Sequence, residues 1–190
     1  LTNPYTAGNS VVLNGGAAQT NASFWFQSDL KINSDSLFSG NASSAMTNLI
    51  VNGYGTGAAN PFNTPISVWQ GTNTQIFFGG AQLNNGPVSI RVDQGLYIFG
   101  GLTGNTASIQ KWGGGPFAVA GSSTLSTNPS IGLYQGTTQV YNGIVGQAPL
   151  GGGSIAVYPG AILRIAGPNV GQVNLISDGA GLAVLGLDYN

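Results

Sequence analysis

Apolar runs of only four or five residues, rich in β-branched and aromatic side chains and closed by Gly, Asn, Ser or Pro, recur along the whole sequence. Val11-Val12-Leu13, Leu30-Lys31-Ile32, Leu49-Ile50-Val51 and residues 66–69, 75–78, 88–92 and 96–99 are of this kind. So are residues 108–111, 116–119, 130–134, 138–141, 154–158, 161–165 and 173–176. Such runs read as strands. An apolar period of 3.6 residues never lasts for ten residues, and a helix of one or two turns is expected only over residues 43–49. Strands this short bury little in hairpins alone but suit a parallel β-helix or solenoid, where each coil stacks on the next and the turns are Gly, Asn or Ser corners. An antiparallel β-sandwich or jelly roll would show the same strand content and is the alternative. At residues 154–165 two alternating runs meet at Pro159-Gly160, a dipeptide suited to the centre of a type II turn, with Ile155 and Val157 facing inward before the corner and Ile162 or Leu163 with Ile165 beyond it. The expected organisation is one elongated β domain over residues 1–190. Residues 1–99 are its less regular part, 100–176 are repeat-like coils and 177–190 hold a terminal strand.

The side chains available restrict the chemistry. The chain has no His, Cys or Glu, five Asp and four Lys or Arg. General acid-base, thiol and metal chemistry draw mainly on the missing types, so no enzymatic activity, no cofactor and no metal are expected. A triad built on Ser would lack its His. The scarcity of cations removes the phosphate-neutralising term behind nucleic-acid affinity. With a net charge of −1, copies of the chain repel one another little, which favours self-association. The longest apolar stretches fall far short of the ~20 residues that cross a bilayer as a helix. The start at Leu1 rather than Met leads us to expect an upstream segment such as a secretion signal, and the Asn, Gly and Thr bias points to an extracellular or cell-surface location.

Residues 109–121, Ile-Gln-Lys-Trp-Gly-Gly-Gly-Pro-Phe-Ala-Val-Ala-Gly, are followed by Gly136-Thr137-Thr138-Gln139-Val140-Tyr141-Asn142-Gly143 and by the Gly-bounded stretch 153–167. This succession resembles the passenger-associated repeat of bacterial autotransporters, in which a Lys-x-Gly-x-Gly element precedes a Gly-x-Thr-x-Val strand and a Gly-Ala-x-Leu pair. The resemblance spans about residues 100–176 and implies an extracellular right-handed parallel β-helix.

Several groups of residues invite a functional reading. Arg91 and Asp93, two apart, project from one face and could clamp a sugar or carboxylate, or form a surface ion pair. In the cluster of Asp29, Lys31 and Asp35, the two Asp with Asn33 and Ser34 between them could offer oxygens to calcium, but too few, and an exposed turn is expected there. Gly113-Gly114-Gly115 and Gly151-Gly152-Gly153 lack the Lys-Ser or Lys-Thr of a phosphate loop and read as corners with positive φ. Phe24-Trp25-Phe26 and Phe77-Phe78 must each turn at least one ring outward, toward a sugar or a neighbouring subunit. Asn21 and Asn41 head glycosylation acceptor patterns.

Apolar strands lie near both ends: Val11, Val12 and Leu13 at the start, Leu182, Val184, Leu185 and Leu187 at the finish. Unpaired backbone on a first or last coil invites pairing with another copy. The chain therefore reads as a structural subunit of an extracellular filament, sheath or surface adhesin that assembles head to tail, with copies of itself as partners and surface glycans as a further class. The alternatives are a monomeric carbohydrate-binding adhesin domain and a jelly-roll pilus or capsid subunit that donates a strand.

Overall fold

A computed structural model describes residues 10–20, 24–25, 29–40, 44–52, 66–69, 75–141, 150, 152–166, 172–176 and 181–187; at 10–11, 15–20, 24–25, 34–40, 44 and 66–69 only the strand placement is described. The strands are β1 (Ser10–Thr20), β2 (Phe24–Trp25), β3 (Asp29–Gly40), β4 (Ser44–Asn52), β5 (Ile66–Trp69), β6 (Gln75–Asn84), β7 (Val88–Val92), β8 (Gly95–Ile98) and β9 (Leu102–Gly104). They continue as β10 (Ser108–Trp112), β11 (Phe117–Ala120), β12 (Thr124–Leu125), β13 (Ser130–Leu133), β14 (Gly136–Tyr141), β15 (Ile155–Val157), β16 (Ala161–Ala166), β17 (Val173–Leu175) and β18 (Val184–Leu187).

All pairings among the described strands are parallel, and partners lie one coil apart in sequence. Chain order therefore runs around a solenoid and hydrogen bonding runs along it. The antiparallel sandwich is excluded. Three ladders form the walls. The first passes from β1 through the leading part of β3, the trailing parts of β4 and β6, then β9 and β12. The second joins the trailing parts of β1 and β3 with β5, β7, β10, β13, β15 and β17. The third joins β2, the leading parts of β4 and β6, then β8, β11, β14, β16 and β18. Strands β1, β3, β4 and β6 each bend across a corner and serve two walls.

Alternation along each strand sends one set of side chains to the axis. In the third wall the inward column reads Ile76, Leu96, Phe117, Thr138, Leu163, Leu185, and beside it Phe78, Ile98, Val119, Val140, Ile165, Leu187. Ile155 and Val157, fully buried, and nearly buried Ile165 face inward as expected, with Leu163 rather than Ile162 beside them. Packing is continuous from Leu13 to Ile165.

Two expectations fail for identifiable reasons. Residues 44–52 form β4 rather than a helix: the helix-like interval between buried Met46 and Leu49 arises because the chain turns from one wall to the next at Thr47-Asn48. Asp29, Lys31 and Asp35 lie within β3 rather than in an exposed turn. The glycine corners are also more selective than a run of three implies. Gly113 has φ 82°, and a Cβ there would stand 2.3 Å from Val92 O, whereas Gly114 and Gly115 keep negative φ. Gly153 also keeps negative φ, and Gly151 lies outside the described residues. At the Pro159 corner Gly160 takes φ 88°, as the second central residue of a type II turn requires, and β15 and β16 pair with neighbouring coils rather than with each other.

Candidate functional site

The inward columns reach the last described coil without losing their apolar character, but they lose their cover. Val157 and Leu163 are fully buried and Ile165 is 5% exposed; their register partners one coil later, Leu175, Leu185 and Leu187, are 53%, 37% and 56% exposed. Strand β17 pairs with β15 and β18 with β16, and among the described residues neither strand has a partner on its other edge. Aliphatic core positions and unpaired backbone thus coincide in one coil.

Register also sorts the expected assembly residues. Leu185 and Leu187 lie on the inward columns, whereas Val184, the partner of exposed Ile162, faces outward. Leu182, in the corner before β18, is the most exposed at 80%. At the other end Val11 and Leu13 pair with inward Leu30 and Ile32, and Val12, opposite Lys31, faces outward. Leu13 is already buried. Strand β1 pairs only with β3, so its other edge is likewise without a partner among the described residues.

The aromatic expectations divide similarly. Phe78 is a core residue, whereas Phe77 faces outward and stacks on Tyr97 at 5.1 Å and on Phe99 at 6.0 Å between centroids. Phe24 and Trp25 are placed only as strand residues, and Phe26, Asn21 and Asn41 lie outside the described residues. A second outward stack, not anticipated from the sequence, joins Trp112, Tyr134 and Tyr158 at 3.9 and 4.3 Å; burial, then the contact with Tyr158, raises the Tyr134 phenol above its ordinary pKa. Tyr134 lies over Gly132, where a Cβ would meet its ring at 2.7 Å.

Among the charged groups, Arg91 donates from Nε to both Asp93 carboxylate oxygens at 2.9 and 3.1 Å, an exposed ion pair. Lys111 is the unexpected one. It occupies an inward column between Ile90 and Leu133, is fully buried, and donates to the carbonyls of Gly113, Gly115 and Gln135 at 2.6, 2.8 and 2.6 Å. Burial pushes its pKa down to about 8, against the opposing pull of Asp93. The ammonium acts as an internal clasp for the glycine corner. Among the described residues no group of three or more Asp lies close enough to hold a metal ion. No protein-family model matches the chain, and no curated protein or solved structure matches it.

Proposed function

We propose that this chain is a non-enzymatic structural subunit of an extracellular filament or sheath, built by stacking copies head to tail. The observation that carries this reading is the coil at β17 and β18, where Leu175, Leu185 and Leu187 continue the core columns into solvent. Strands β1 and β2 of a second copy would extend the second and third ladders at the ~4.8 Å strand spacing. Such a contact is heterologous and does not close, so it propagates. Covering a half-exposed leucine contributes about 1 kcal/mol, and the new backbone bonds add to it. The near-zero net charge and the autotransporter-like run at residues 109–121 support the assembly and the extracellular setting respectively.

Light scattering against concentration, with electron microscopy and fibre diffraction, tests the proposal. Unbranched filaments with a meridional reflection near ~4.8 Å are expected. A chain that stays monomeric at high concentration sinks it.

A further inference from the structure

We propose that a glycine-floored cleft, where the third wall turns into the first, binds a neutral saccharide chain. In two successive coils the corner is made of glycine pairs, Gly79-Gly80 and Gly100-Gly101. Side chains are excluded there, because a Cβ on Gly100 would lie 2.2 Å from Gly79 O and one on Gly79 2.7 Å from Thr47 O. The bare backbone leaves a recess on each side of the corner, and Gly79 lines both.

The two recesses differ in chemistry. One, of about 340 Å³, is apolar and walled by Phe77 and Phe99 with Ala45 and Met46 at its back. Phe99 is 58% exposed and its ring is within 9° of parallel to that of Phe77, so a broad aromatic surface stands open. The other, of about 390 Å³, is polar and carries Asp29, Asn48, Gln82 and Thr103. Asn48 Nδ2 donates to Asp29 Oδ1 at 2.9 Å, which fixes the pair while the carboxylate keeps lone pairs for further donors.

A sugar ring matches this division. Its C–H face packs on an aromatic ring, and its vicinal hydroxyls donate to a carboxylate and exchange hydrogen bonds with amides and a threonine hydroxyl. Concave recesses of this size with a few convergent polar groups are the usual form of small-ligand sites. Among the described residues Asp29 is the sole charged one lining either recess, which disfavours acidic sugars and gives too few oxygens for a bare cation. The cleft lies on the lateral surface: Asp29 and Ala45 pair with β1 and β2 of the first described coil, but no residue of those two strands, nor of β17 or β18, lines either recess, so the inference does not rest on filament assembly.

Calorimetric titration with soluble hexasaccharides of glucose, mannose, galactose and N-acetylglucosamine tests it. At least one should bind the wild-type chain in the micromolar to millimolar range, and Phe99→Leu and Asp29→Asn should each weaken that binding at least about tenfold. Tyr141→Ala, which removes an exposed ring elsewhere, should leave it unchanged. Thermal melts matching wild type confirm that the surface variants fold. The proposal is overturned if none of the hexasaccharides binds, or if binding survives either the Phe99 or the Asp29 substitution.

Discussion

A lysine in a core column is costly unless its charge is answered, and Lys111 is answered by three carbonyls rather than by a carboxylate. Lys111→Ala leaves those acceptors without their donor and opens a cavity, so a loss of about 3–5 kcal/mol is expected in denaturant unfolding. Lys111→Met keeps the volume and should cost about half as much. The lowered pKa sets the pH dependence. Below pH 8 the amine is protonated in both folded and unfolded chains; between about 8 and 10.5 the unfolded chain holds more protons, so stability rises with pH across that window. Wild type should therefore gain on Lys111→Met by roughly 1–3 kcal/mol from pH 8 to pH 10.5; an unchanged difference would show that the ammonium is not destabilised by burial. Thr138 presents the opposite case. Among the described residues its Oγ1, buried in the column between Phe117 and Leu163, has no hydrogen-bond partner, so Thr138→Val should raise stability by about 1 kcal/mol, read as a higher urea midpoint. The burial of Lys111 was not legible in the sequence, because a lysine at a strand end normally reaches water; the clue was the run of glycines after it, whose bare carbonyls can converge on one ammonium.

Strand positions were more legible than corners: Pro159-Gly160 announced its turn, but the bends inside the longer strands did not, since a strand shows itself by alternation whereas a corner resets the phase. Thus Met46 and Leu49 looked like successive turns of a helix although they belong to different walls. The first half nevertheless carries a periodic signal that alternation does not capture. An apolar residue followed by Asn recurs at Leu13-Asn14, Ile32-Asn33, Val51-Asn52 and Leu83-Asn84. In the fold these asparagines form a ladder: Asn33 donates to Asn14 at 2.7 Å, Asn52 to Asn33 at 2.6 Å and Asn84 to Asn52 at 3.0 Å. The spacing of 19 residues between the first three is one coil, and it lengthens to 32 before Asn84 across residues 53–65, outside the description. Asn33 both donates and accepts. Asn33→Asp removes its donor and sets a carboxylate against the Asn14 oxygen, so a loss of about 1–2 kcal/mol is expected at neutral pH, shrinking as the new carboxyl is protonated in acid. A pH-independent loss would show that the ladder does not act through its hydrogen bonds. The candidate site divides in the same way: Leu185 and Leu187 could be named from the terminal apolar run, but their separation from outward Val184 needed the register with β16.

Over the whole molecule every coil uses its neighbours for both hydrogen bonds and core contacts, so stability accumulates along the axis and fails where a neighbour is missing. At β17 and β18, which have no second partner strand among the described residues, three leucines of the core register are exposed, which defines a sharper experiment than charging the strand as a whole. Leu185→Lys and Leu187→Lys place ammonium groups on the inward columns, where a stacked copy would bury them unpaired at a cost of several kcal/mol. Val184→Lys places the same charge on the outer face, where it stays in water whether or not a second copy is present. If assembly proceeds through continuation of the core, the inward variants should remain monomeric by light scattering while Val184→Lys still forms filaments of wild-type length. Because Leu185 and Leu187 are already 37% and 56% exposed in the single chain, the inward variants should melt within about 1 kcal/mol of wild-type stability, which separates lost assembly from lost folding. Equal polymerisation by all three variants would place the contact elsewhere on the surface.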